Sequence, residues 1–281
     1  MKFSALVAVV QGCLCVNINE VWRDNTSRSL DEVEGKIVGG KPIAIEKLPF
    51  AVQFYNFGNM CSGVILNSWS VLTAAHCFDN NKNIFDMVIE AGYRYMFDYE
   101  ADVYEVKDFV IHKNYSQAMR FACDIAIIFV NRQFTFGSKV KKALLVTHSK
   151  WMKGTEKKFV VNGWGWIKYG GPLSTKGLQK TYLRYVPKGD CEKMHDVNLT
   201  ADMFCLYGDG VRDTCKGDSG GGVLWNGYII GIVSHGDGCS RKNSPSIYSN
   251  VWYFKKWIRV QIIKFIRRFC REEVVNPIIP S

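Results

Sequence analysis

Between Phe50 and Gly236 the chain is a succession of short apolar runs separated by turn residues: "FAVQFY", "CSGVILN", "SVLTAA", "DMVIEAG", "YEVKDFVIH", "DIAIIFV", "KFVVNGWG" and "GGVLWNGYIIGIVSHG". The runs have the length of strands, and Gly and Asn punctuate them. Trp225-Asn226-Gly227-Tyr228 is the clearest hairpin, because Asn-Gly suits a turn with positive φ at both central residues. No helical pattern alternates with these runs, so a parallel doubly wound sheet is disfavoured and an all-β fold is expected. At 281 residues and 47% hydrophobic, the chain can bury a large core and is not disordered as a whole.

Both ends differ from this middle. Lys2 precedes the apolar run Phe3–Val10, and small residues follow, which is the pattern of a secretory signal over residues 1–17. The run is too short to span a bilayer. Secretion implies an oxidising compartment for most of the ten cysteines, Cys13 and Cys15 leaving with the signal. It also makes acceptor sites of the sequons at Asn25, Asn114 and Asn198. Residues 18–36 are polar, without sustained period, and read as an exposed leader. From about residue 251 the sequence "VWYFKKWIRVQIIKFIRRFC" reads as a helix with one apolar and one basic face. It docks on the β-structure or rests on a membrane surface. The net charge of +10 fits polyanion contact, and equally fits simple solubility.

Gly217-Asp218-Ser219-Gly220-Gly221 holds a serine among glycines. It satisfies G-x-S-x-G, the strand-to-helix elbow of α/β-hydrolases, but the context fails. Three glycines and the strand-like Val223-Leu224-Trp225 follow, not a helix. The only later histidine is His235, and no carboxylate lies between Gly220 and Ser234. The order histidine, acid, serine fits better. A serine hydroxyl needs a base, and the base needs an orienting acid. His76, in "TAAHC", is crowded by small residues and followed by a cysteine. Asp124 stands at the mouth of the apolar run "IAIIFV", where a half-buried carboxylate needs a partner. His112, His148 and His195 have polar neighbours and read as surface histidines.

These residues carry a resemblance. From Ile37 to about Ile258 the chain resembles the chymotrypsin-like (trypsin-fold) serine endopeptidases, through "IVGG" at 37–40, "TAAHC" at 73–77, "DIAII" at 124–128, "NGWG" at 162–165 and "GDSGG" at 217–221. The resemblance implies two six-stranded antiparallel β-barrels with the active site between them and a C-terminal helix. It implies a peptidase domain over 37–281, a catalytic set of His76, Asp124 and Ser219, and an oxyanion hole from the N–H groups of Gly217 and Ser219. It implies a zymogen with an activation peptide over 18–36, cut between Lys36 and Ile37 by a trypsin-like protease, after which the new amine pairs with Asp218. The implied disulfides are Cys61–Cys77, Cys191–Cys205 and Cys215–Cys239. Cys123 and Cys270 are left over, to pair with each other or stay free.

The implied partners are protein or peptide substrates and protein protease inhibitors, and the implied state is a monomer. Asp213 falls at the base of the primary pocket, which gives cleavage after Arg or Lys. Ser234, His235 and Gly236 offer backbone to an extended substrate. No cofactor is implied, and no metal, since Tyr93 stands where calcium-binding members carry a carboxylate. Two positions depart from the pattern. His235 replaces the usual Trp. Ser246 replaces a pocket Gly, and its extra hydroxymethyl group narrows the slot, favours Lys, or weakens cleavage. The alternative function is a weakly active or non-catalytic binding homologue of the same fold.

Overall fold

The computed structural model describes residues 38–153, 158–166, 170 and 177–275, with side chains of the last helix described to Phe269. The expected signal and leader, with Asn25, Lys36 and Ile37, lie outside the described residues.

Fourteen strands make up most of the regular secondary structure of the described residues: β1 (Lys41–Pro42), β2 (Ala51–Asn56), β3 (Asn59–Asn67), β4 (Ser70–Thr73), β5 (Met87–Ala91), β6 (Asp102–Ile111), β7 (Ala126–Val130), β8 (Leu144–Leu145), β9 (Lys158–Gly163), β10 (Gln179–Val186), β11 (Met203–Tyr207), β12 (Gly222–Trp225), β13 (Tyr228–His235) and β14 (Ser246–Asn250). Strands β2-β3-β4-β7-β6-β5 close on themselves as one antiparallel barrel. Strands β9, β10, β11, β14, β13 and β12 close a second through the β9–β12 and β9–β10 pairings. The pair β1 and β8 are appended to the second barrel, on β10 and β13. The all-β, two-barrel expectation holds. Closure leaves no barrel strand with an unpaired edge, which suits sheets this short.

The eight apolar runs became strands β2–β7, β9 and the β12–β13 hairpin. Asn226 and Gly227 both have positive φ (49° and 80°), as an Asn-Gly hairpin turn requires. Strands β10, β11 and β14 had no such run, and neither did the short helix α1 (Lys188–His195). For β10 and β14 the sequences explain this. Gln179, Lys180, Thr181, Ser246, Ser249 and Asn250 are polar yet buried, so the alternation that reveals a half-exposed strand is absent.

The terminal helix α2 (Val251–Val275) follows directly on β14 and ends against the other barrel. Its buried residues Val251, Phe254, Ile258, Ile262 and Phe265 recur every three or four positions and belong to the core cluster that joins the first barrel to Val160, Leu224, Ile229 and Ile232 of the second. Phe265 stacks on Phe129 of β7 with ring centroids 3.8 Å apart. Phe269 lies on Trp69, and Arg268 bonds Asp108. The helix therefore staples the two barrels. Among the described residues no helix is long and apolar enough to cross a membrane.

Candidate active site

Strand pairing brings the base and the acid together. The end of β4 pairs with the start of β7, Thr73 opposite Ala126. His76 lies three residues beyond one and Asp124 two before the other, so both emerge at the same end of the first barrel. His76 sits in a one-turn 3-10 helix, Ala75–Phe78, tied down by the Cys61–Cys77 disulfide. Its backbone N–H donates to Asp124 Oδ1 at 2.9 Å, and its Nδ1 lies 2.8 Å from Asp124 Oδ2.

Asp124 is fully buried, yet its carboxyl stays below the usual carboxylate range. Burial pushes it up, and the charge and hydrogen bonds of His76 together with the Ser234 hydroxyl more than offset this. The same balance raises His76: burial lowers it, but Asp124, with a further contribution from Asp79, prevails. An ionised Asp124 only accepts, so Nδ1 of His76 carries the hydrogen and Nε2 is the basic nitrogen.

Ser219 comes from the second barrel, on the loop between β11 and β12. The loop is wedged against the first barrel. Ser62 N donates to Ser219 O at 2.7 Å, and Ser62 Oγ donates to Gly217 O at 2.9 Å. A Cβ on Gly220 would lie 2.2 Å from Thr73 Oγ1 and 2.4 Å from Ser62 O, and Gly220 has φ near +80°. Only glycine fits such a junction. The N–H groups of Asp218, Gly220 and Gly221 all donate to backbone carbonyls. Among the described residues, those of Gly217 and Ser219 make no hydrogen bond, so two neighbouring donors are available to an anion.

Behind this loop Asp218 is fully buried. Gly165 N donates to its Oδ1 and Cys215 N to its Oδ2, each at 2.8 Å. Burial nevertheless pushes its pKa up to about 7. Among the described residues no cation faces it. A Cβ on Gly163 or Gly165 would collide with this carboxyl group, which accounts for the glycines of "NGWG".

His76 and Ser219 line one cleft of about 570 Å³, with Thr214, Cys215, Ser234, His235, Gly236 and Ser246. Asp213 is buried just behind the Ser246 wall of the cleft, its carboxylate not itself lining it. Oδ1 accepts from Thr214 N at 2.8 Å and Ser246 Oγ at 2.6 Å, and Oδ2 from Ser240 N at 2.9 Å. Burial raises its pKa to about 6 despite these donors. Ser246 lines the cleft and caps the Asp213 carboxylate directly.

The three implied disulfides are all formed. Cys123 carries a free thiol, pushed up to about 11 mainly by burial. The cysteines beside His76 are in a disulfide and offer no thiolate to a metal.

The histidine readings need correction. His195 is no surface residue. It lines the cleft, its Nε2 2.7 Å from Pro245 O. His112 lies half-buried against Phe254 and Trp257, and His148 half-buried against Trp225. For His112 and His148 the polar neighbourhood in sequence is exchanged for aromatic neighbours in space.

Two contributors were not legible. The hydroxyl of Ser234, expected only to offer backbone, lies 2.5 Å from Asp124 Oδ2. Phe121 covers the cleft, its ring edge-on to His76 at 5.7 Å and stacked on His235 at 4.4 Å. The nearest sequence signal was "MRF" at 119–121, a few residues before Asp124, and it points nowhere by itself.

A family model described as Trypsin matches residues 37–258. Cationic trypsin-3 of Rattus norvegicus is 32% identical over 82% of this chain and 91% of its own length. Trypsin delta of Drosophila melanogaster is 31% identical, with 82% and 89% covered. Trypsin of Sus scrofa is 30% identical, with 82% and 96% covered.

Proposed function

The chain belongs to the trypsin family of serine endopeptidases, and from that premise we propose that it hydrolyses peptide bonds after Lys or Arg through an acyl-enzyme formed on Ser219. The observation that carries the proposal is the two-point grip of His76 on buried Asp124, with Ser219 on the wall of the same cleft. Nε2 of His76 takes the Ser219 proton as the oxygen attacks the carbonyl, then delivers it to the leaving amine. Water repeats the cycle to free the acid. The unpaired N–H groups of Gly217 and Ser219 receive the oxyanion, and donors held in place before the reaction cost no reorganisation during it.

Asp213 gives the primary pocket its charge preference. Oδ1 already accepts two hydrogen bonds and Oδ2 one. A planar guanidinium wants two free acceptors side by side, whereas an ammonium needs one. Ser246 therefore biases the pocket toward Lys. Gly236 and Ser234 offer backbone to the substrate strand, and His235 walls it in place of a larger ring.

The full chain is a secreted zymogen in this reading. Cleavage after Lys36 by a trypsin-like protease frees the Ile37 ammonium, which neutralises Asp218 behind the oxyanion loop. Val38 already pairs with the backbone of Asp213. Asn114 and Asn198 are exposed and accessible to glycosylation. The face of α2 with Lys256, Arg259, Lys264 and Arg267 is exposed and available to polyanions or membrane surfaces.

The test is to cut the protein after Lys36 and profile cleavage of a peptide library, with Ser219→Ala as control. Preference for Lys, then Arg, is expected. Preference for an apolar residue before the scissile bond would overturn the role of Asp213. Equal turnover by Ser219→Ala would overturn the mechanism.

A further inference from the structure

Ser234 Oγ stands between two groups. It lies 2.5 Å from Asp124 Oδ2 and 3.0 Å from His235 Nδ1. A hydroxyl has one proton to give. Asp124 is held ionised and can only accept, so the Ser234 proton points at Asp124. The lone pairs of Oγ then face His235, and the nitrogen opposite them must carry a hydrogen. Neutral His235 is therefore the Nδ1–H tautomer. The result is a chain in which His235 Nδ1–H donates to Ser234 Oγ and Ser234 Oγ–H to Asp124 Oδ2, the oxygen that also receives His76 Nδ1–H. Two imidazoles address one carboxylate, one directly and one through a hydroxyl.

We propose that His235 is a positioning residue for the reaction, acting through Ser234 to orient and polarise the Asp124 carboxylate and so to set the basicity of His76. The proposal rests on the assignment of His76, Asp124 and Ser219 as the catalytic set. Hydrogen bonds in a chain strengthen one another, most of all where water is excluded. Donation from His235 makes the Ser234 hydroxyl a better donor. A better donor stabilises negative charge on Asp124, and a better-satisfied carboxylate holds the His76 proton less tightly.

The surroundings keep this relay in one state. The His235 ring is stacked on Phe121, which also meets His76 edge-on and carries the Arg120 guanidinium at 4.8 Å. The titratable and charged groups that face His235 are Asp124 and His76 from the first barrel, Arg120 from the loop before β7, and His195 at the end of α1. Burial, with His76, His195 and Arg120, outweighs Asp124 and lowers the imidazole pKa to about 4. The ring is thus neutral across the working range, and its tautomer, not its charge, carries the effect. A Trp or Phe at this position could fill the wall but could not donate to Ser234.

The experiment is an NMR titration of the His76 imidazole in the full chain, which needs no turnover. It compares the native protein with His235→Phe, which keeps the stack on Phe121 and loses the donor, and His235→Asn, whose amide can replace Nδ1–H. His235→Phe is expected to raise the proton-binding constant of His76 about threefold or more, the scale of a hydrogen bond strengthened through one relay. His235→Asn is expected to return it toward the native value. Identical His76 titrations in the native protein and His235→Phe would overturn the proposal, as would equal shifts in both variants, which would mark His235 as wall alone. Peptidase activity of the cleaved native protein, assayed separately, tells whether the catalytic assignment itself stands.

Discussion

The two barrels hold their shares of the cleft by different means. The first places His76 and Asp124 with a strand ladder: β4 and β7 pair in register, and both residues lie within three positions of the Thr73–Ala126 pair. The second presents Ser219, Ser234 and Ser246 from loops and strand ends. Those loops are closed by the Cys215–Cys239 disulfide and tied to two buried carboxylates, Asp213 and Asp218. One half of the site is as rigid as a sheet. The other is as rigid as the charge state of its buried acids allows. A fold that delivers its base and its nucleophile in this way can keep the base ready while the nucleophile loop is switched.

The largest expected effect tests whether the two halves work as one. Ser219→Ala and His76→Ala should each lower kcat about 10⁴- to 10⁶-fold after activation, the loss typical of Ser-His-Asp triads. The double variant should be hardly worse than either. Additive losses in steady-state kinetics would mean that the halves act separately.

Next comes the seam between the barrels. Gly220→Ala meets Thr73 and Ser62 at under 2.5 Å and adopts positive φ. It should cost more than the roughly 1–3 kcal/mol of the backbone strain alone, read as a drop in the urea midpoint or loss of soluble protein. Gly227→Ala has the same φ with nothing within 4 Å of the added carbon, and should cost the strain alone.

The third effect is a slope in the uncleaved chain. The folded Asp218 pKa, about 7, lies above its unfolded value near 3.8. The folded form therefore binds this proton more tightly. Stability from that proton is fully present below about pH 4 and is lost as pH rises through about 7. Asp218→Asn should flatten this slope in urea unfolding from pH 4 to 8. An unchanged slope would show that the buried carboxylate does not govern the second barrel's half.

The smallest expected effect concerns the pocket. Ser246→Gly frees an acceptor on Asp213. It should move preference toward Arg by about 3- to 10-fold in relative kcat/KM, the scale of one hydrogen bond.

The comparison also marks what could be read in advance. The strands of the first barrel announce themselves, because they are apolar runs with turn residues between them. His76, Asp124 and Ser219 were legible from local setting and order along the chain. Two strands of the second barrel, β10 and β14, were hidden by buried polar residues such as Gln179, Thr181 and Ser249, whose hydrogen bonds are made inside the molecule. His195 looked like a surface residue because its sequence neighbours are polar, yet its ring faces the cleft.

By itself the sequence determined the all-β architecture, the hairpin at Asn226-Gly227, the glycine frame around Ser219 and the order of the groups that meet in the cleft. These follow from local preference: strand period, positive φ, and the need of a hydroxyl for a base. Only the tertiary structure decided that Ser234 would reach Asp124, that Ser246 would cap Asp213, and that Phe121 would stack on His235. Ser234 and Asp124 are 110 positions apart, and Phe121 and His235 are farther still. A hydrogen bond forms only within a few tenths of an ångström and a narrow range of angle. No local propensity sets geometry to that tolerance between distant segments; the packing of one barrel on the other does.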